Sequence, residues 1–340
     1  MSSKDQMTHR ERVFAALKGE EEDRLPCCVW GHYPEVDQDP IHNAETMLQI
    51  AVDHDFDWIK VSPDQYAFMQ DWGLSVEHFG SPDRKTAARR SLIRSPEDWK
   101  GMRVLSAEHG MWGKTADLNR YMDRFQKERG VDIPYLVTIN SPFTTLAELG
   151  GVQQTLEHMR AYPEVIREAL QKVTDTTINY MQEAMKLDLG GFFFTSRYCS
   201  SDYMSLEEYR VFGEYYDRQL FRVFEGKTGF NMNHIHGANT YWDFLAQYPF
   251  ECVNWHDTWI PPTLEDARRK TEKCLCGGLS EKEMLPFGTP EQIKAQIRDV
   301  VRRAGARGLM ITNGCGTFPT PSFANMQAVT DGVRELELAF

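Results

Sequence analysis

No apolar run in this chain approaches the roughly 20 residues a membrane-spanning helix needs. The N-terminus, Met1-Ser2-Ser3-Lys4-Asp5-Gln6, lacks the apolar stretch of a secretory signal. Cysteine is sparse, odd in number and scattered. Seven scattered residues argue for reduced thiols, and with the missing signal they make a cytoplasmic location the expectation. Positive charge is also in short supply. A formal charge of -12 and a pI near 5.4 exclude nucleic acid and anionic membrane as expected partners. No strand-like run is followed by a Gly-rich phosphate fingerprint, which argues against an open dinucleotide-binding sheet. No internal repeat, low-complexity tract or Gly/Ser linker divides the chain, so residues 1–340 read as a single domain.

What is present is a regular alternation. Strand-like apolar runs fall at 25–30, 56–61, 135–139, 191–194, 230–235, 252–255, 274–279 and 308–312. Most are near-continuous in hydrophobicity, as parallel strands covered on both faces must be. Amphipathic helical patterns separate them, among them 163–187, 263–271 and 322–338. Ser205 with Glu208 and Thr289 with Gln292 both fit a capping box. Eight such alternations predict an α/β protein, a (β/α)8 barrel. The segment from about 66 to 132, between the second and third strands, is too long for a simple crossover. It carries Trp72, Trp99, Trp112 and a basic patch from Arg84 to Arg94, and reads either as an elaborated insertion that lids the rim or as a surface excursion.

Polar residues end nearly every strand: His32, Asp64, Asn140, Arg197, His234 with His236, His256, Ser280, and Asn313 with Cys315. In a barrel these ends converge on one rim, where the active site lies. Two imidazoles at i, i+2 on a strand share a face, and a thiolate from another strand end completes three donors a borderline-soft metal prefers. His234, His236 and Cys315 are therefore the candidate metal ligands, with an open fourth position. The alternative is a hydrogen-bonding His and a Cys that is only a small core residue. His256 is a candidate general base or oxyanion holder, unless it merely bonds its neighbour Asp257. Arg197 is a candidate carboxylate clamp, unless it pairs with Asp202. Glu148 is a candidate catalytic carboxylate, either a fourth ligand or a proton shuttle. His32, Asp64, Asn140, Asp202 and Asn313 are the expected substrate-binding residues. Cys274 and Cys276 read as core, and the adjacent Cys27 and Cys28 face opposite sides of their strand.

The order of several motifs resembles the uroporphyrinogen decarboxylase superfamily. These are the run Arg10 to Glu20 followed by Asp23-Arg24-Leu25-Pro26, Ser141-Pro142-Phe143-Thr144, and Ser205 to Tyr209. Gly277-Gly278-Leu279, Gly288-Thr289-Pro290-Glu291, Asn313-Gly314-Cys315-Gly316, Pro319-Thr320-Pro321 and Asn325 follow in sequence. The resemblance spans about residues 7–337 and implies a single (β/α)8 barrel.

The superfamily has two chemistries. Its decarboxylases are metal-free and bind a polycarboxylate porphyrinogen through an Arg-rich stretch after the first strand. Here that stretch, Gly31 to Asp39, has no Arg or Lys and three acids, Glu35, Asp37 and Asp39. The decarboxylase Tyr after Pro-Phe-Thr is replaced by Glu148, and Asp64 alone matches a decarboxylase residue. The other branch moves methyl groups between a methylcobalamin protein and a thiol, using zinc held by a His-x-Cys pair and a distal Cys. His234 and Cys315 match that set, while His236 stands where those enzymes have Cys. The resemblance thus implies a zinc-dependent methyltransferase acting on a small substrate. The reaction would be methoxy-compound demethylation or methylcobalamin:thiol transfer, with a corrinoid protein and a second copy of the chain (a homodimer) as candidate partners. A uroporphyrinogen decarboxylase-like lyase and a non-catalytic ligand-binding barrel are the alternatives.

Overall fold

The computed structural model describes residues 5–82 and 84–337. Its ten strands are β1 Cys27–Cys28, β2 Ile59–Val61, β3 Ser75–Glu77, β4 Ala87–Arg90, β5 Tyr135–Asn140, β6 Gly191–Ser196, β7 Met232–Ile235, β8 Cys252–Trp255, β9 Cys274–Leu279 and β10 Leu309–Asn313. Eight of them form one sheet in the order β1-β10-β9-β8-β7-β6-β5-β2, with every pairing parallel. Between the two ends of that ladder, Asp57 N–H donates to the Cys27 carbonyl at 2.8 Å and ties β2 back to β1. The result is the predicted (β/α)8 barrel. Apart from the half-buried Asn140, every residue of these eight strands is buried, which explains their continuous apolar character.

Helices cover the outside, and their starts are written in the sequence. Ser205 and Thr289 both form capping boxes, and Thr289 opens the helix Pro290–Ala304. The last helix runs Phe323–Arg334, short of the expected 322–338, and Leu338 lies outside the described residues. At the amino end of the barrel, buried Asp57 accepts hydrogen bonds from Arg12 and Arg24 (both 2.6 Å), from the Cys27 amide (2.8 Å), and pairs with His9 (3.0 Å). Two buried guanidiniums thus share one buried carboxylate beneath the strands, and Asp23, Asp5 and Asp55 supply the remaining counter-charge.

The insertion after β2 is packed down. It contains the β3–β4 hairpin, a short helix Pro96–Lys100 and the helix Gly110–Arg129. Trp72, Trp99 and Trp112 are all buried, each worth on the order of a few kcal/mol of burial. Trp112 packs on Phe68 and Tyr180, and the Trp99 indole donates to His158 Nδ1 at 2.9 Å. The hairpin reaches the rim: Lys85 Nζ sits 4.8 Å over the Phe318 ring, and His78 lies 3.6 Å from Asp64.

Candidate metal centre and pocket

β7 delivers His234 and, one residue past the strand, His236. In the sheet His234 pairs with Thr195 of β6 and Asn254 of β8. The Asn254 amide nitrogen donates to the carbonyls of Cys276 (2.9 Å) and Asn313 (3.0 Å). Its oxygen therefore faces His234 Nδ1, at 2.6 Å. That bond places the His234 proton on Nδ1 and leaves a lone pair on Nε2. Burial pushes the pKa of both His234 and His236 well below the ordinary value, so both rings are neutral and able to donate to a metal.

β8 delivers His256. Its Nδ1 lies 2.7 Å from Glu281 Oε1, and the Trp259 indole donates to the same oxygen at 2.8 Å. Burial disfavours the charged Glu281, yet hydrogen bonds from His256 and Trp259 hold its carboxyl below the usual range. Nε2 of His256 and Nδ1 of His236 are both buried without a hydrogen-bond partner. The loop after β10 delivers Cys315. Gly314 permits this approach, because a Cβ there would sit 2.6 Å from the Trp255 carbonyl oxygen and 3.0 Å from His256 Cα. Asn313 fixes the loop by donating to the carbonyls of Trp30 (2.9 Å) and Cys315 (2.5 Å).

Donor atoms of His236, His256 and Cys315 all lie within 4.8 Å of one another, the single such group among the described residues. His234 is adjacent but outside that group, its ring centroid 5.7 Å from His236 and 6.0 Å from His256. Of the expected trio of His234, His236 and Cys315, the last two fall in this group, and His256 joins them where Gly314 packs against Trp255 and His256. Two orphaned imidazole nitrogens and a thiol suit a borderline-soft ion such as zinc. The His256–Glu281 bond supplies the outer carboxylate that such a ligand customarily has.

Beside this group lies a pocket of about 70 Å³, room for roughly five waters at about 10–15 Å³ each. His32, Asp64, Asn140, Glu148, Arg197, His234, His236 and Cys315 all line it. Arg197 donates to Glu148 at 2.9 Å, and the Tyr198 hydroxyl donates to the same carboxylate at 2.6 Å. The partner of Arg197 is therefore Glu148, and Asp202 instead accepts from Asn239 on the exposed surface. Asp202 and Asn313 do not line the pocket; Asn313 is a buried brace. His256 does not line it either, which leaves its expected contact with substrate without support, and its bond is to Glu281 rather than to Asp257. Asp64 is engaged by Gln38 (3.1 Å) and Gln70 (2.7 Å). His32 is kept neutral, its pKa pushed down to about 3 by burial and by nearby Lys60, Lys85 and Arg197. Three participants escaped the sequence reading: Asn254, Glu281 and Lys60. Glu281 follows Ser280, a recognised strand ending, by one residue, and that position was its only signal.

A (β/α)8 barrel with imidazoles and a thiol gathered at the carboxyl ends of β7, β8 and β10 defines the class. The chain belongs to the uroporphyrinogen decarboxylase (URO-D) family, whose model matches residues 8–336. Among solved structures, a methyltransferase from Methanosarcina mazei is similar with a TM-score of 0.81 and 19% identity, over 97% of this chain and 99% of its own. A B12-independent methionine synthase from Shewanella sp. W3-18-1, in complex with selenomethionine, is similar with a TM-score of 0.57 and 12% identity, over 88% and 86%. At these identities the likeness is one of fold. No individually curated protein matches significantly. No helix among the described residues is long and apolar enough to cross a membrane.

Proposed function

We propose that this protein is a zinc-dependent methyltransferase-type enzyme that acts on a small substrate and exchanges the methyl group with a corrinoid carried by a partner protein. The observation that carries this reading is the donor group of His236, His256 and Cys315 beside a small pocket. These three residues would hold the metal and leave its fourth position open to substrate, with His234 alongside. A zinc ion with one thiolate among neutral imidazoles keeps net positive charge, which suits it to polarise a substrate oxygen more than to enrich a sulfur. The chain's own residues prepare the site. Glu281 holds His256, and Asn254 holds His234, each with its proton on Nδ1. Glu148, anchored by Arg197 and Tyr198, sets a carboxylate in the pocket lining to orient the substrate or accept a proton. The Methanosarcina methyltransferase shares the barrel over nearly the whole chain, which supports the class of reaction.

Decarboxylation of uroporphyrinogen is disfavoured by two features. The pocket holds about 70 Å³, far below the roughly 300–1,000 Å³ of ordinary ligand pockets. The Gly31 to Asp39 stretch offers acids where a polycarboxylate needs cations. The test is direct: purified protein is mixed with cob(I)alamin and a panel of small methoxy compounds, and separately with methylcobalamin and thiols. Conversion of the cobalamin spectrum, dependent on Cys315, supports the reading. Silence in every methyl-transfer assay, together with turnover of reduced uroporphyrinogen, would replace it with the lyase.

A further inference from the structure

Lys60 belongs neither to the donor group nor to the side chains that support it. It sits in the middle of β2, is buried, and lines the pocket. Buried cations elsewhere in this chain have acids: Arg12 and Arg24 each hold Asp57 at 2.6 Å. Among the described residues no carboxylate lies within ion-pair distance of Lys60. Its one hydrogen bond is to the Ser62 hydroxyl, at 3.0 Å. Its Nζ lies 4.9 Å from the ring centroids of both Trp30 and Phe193, so its surroundings are largely aromatic. The acids that share the pocket are already engaged, Glu148 by Arg197 and Tyr198 and Asp64 by Gln38 and Gln70.

We propose that Lys60 is a nucleophilic amine that condenses with a small carbonyl compound, an aldehyde or 2-oxo acid, admitted to this pocket. A desolvated lysine without a counter-ion favours its neutral form, and a neutral amine attacks carbonyl carbon. The lone pair of Nζ forms the new C–N bond while the C=O π bond breaks and its oxygen takes a proton from Nζ, giving a carbinolamine. Loss of that oxygen as water then leaves a C=N double bond to Nζ. No oxidant or reductant is needed. Burial is also the main reason the Lys60 pKa falls to about 7, against the pull of Cys315 and Cys28 in the other direction. The two faces of Trp30 and Phe193 stabilise the charged form by cation–π attraction, but this does not restore an ordinary lysine. The pocket size limits the partner to a few heavy atoms. The proposal does not depend on the methyltransferase reading, since it needs no metal.

The test uses glyoxylate and, separately, the uncharged propanal, each with sodium borohydride, on the purified full chain. Borohydride reduces any imine to a stable secondary amine, which peptide mass spectrometry locates. The expected result is modification of Lys60 by both probes at least tenfold faster than of any other lysine. Lys60→Met and Lys60→Arg should lose that adduct while keeping the circular dichroism of the parent. Labelling spread over surface lysines with Lys60 unmodified would overturn the proposal. Protection of Lys60 by acetate without any imine would also overturn it, and would make the residue an anion-binding ammonium.

Discussion

His256 Nδ1 and Glu281 Oε1 lie 2.7 Å apart, and this bond decides which nitrogen His256 offers to the donor group. With Nδ1 occupied, Nε2 is the free atom, and it is buried without a partner. Removing the carboxylate frees the ring to rotate or change tautomer. Glu281→Ala should therefore weaken zinc affinity about 10–100-fold, as loss of such outer carboxylates does elsewhere. Glu281→Gln keeps one acceptor and should lose less. Competition against a chelator of known affinity measures both, and equal affinity in Glu281→Ala and the parent would refute the role.

Asp57 is predicted to be a stability residue. Burial alone would raise its pKa, but Arg24, His9 and Arg12 outweigh that and hold the carboxyl far below its ordinary 3.8. Asp57→Ala leaves two buried guanidiniums short of a counter-charge and should cost about 3–5 kcal/mol in urea unfolding. The sign of the pH dependence follows. A depressed pKa contributes stability above pH 3.8 that is lost as the pH falls below it. Asp57→Asn should therefore unfold with a weaker acid dependence than the parent.

Asp217 behaves oppositely. It is fully buried, accepts from the hydroxyls of Tyr209 (2.8 Å) and Tyr248 (3.1 Å), and burial pushes its pKa up to about 7. The folded chain holds a proton there that the unfolded chain releases near 3.8. This contribution is complete below pH 3.8 and is lost as the pH rises toward 7. Asp217→Asn keeps an acceptor for both tyrosines and has nothing to titrate. Its unfolding free energy should fall less between pH 4 and 7 than that of the parent, read from urea midpoints across that range.

The barrel was legible because its strands are buried on both faces and so read as short apolar runs between capped helices. The polar strand ends at His234, His236, His256 and Cys315 were legible from the apolar runs that precede them. Pairing across strands was not. Arg197 was open to Asp202, close in sequence, whereas the helix Pro142–Gly150 carries Glu148 over the end of β6 to meet it. Spacing along the chain also cannot show that Gly314 lets the β10 loop pack closely against His256. Lys60 was absorbed into an apolar run from Phe56 to Val61. Only its position in the fold, between the Trp30 and Phe193 rings, shows that its side chain reaches the pocket.

If His236, His256 and Cys315 form one metal site, the loss of a donor should empty it. The most direct measurement is metal content per chain in the parent and in the His256→Ala, Cys315→Ser and His234→Ala variants, each checked for intact fold. About one zinc per chain is expected in the parent. Content should fall severely in His256→Ala and Cys315→Ser, and less in His234→Ala. Full retention of zinc in His256→Ala alongside its loss in His234→Ala would contradict the site as drawn.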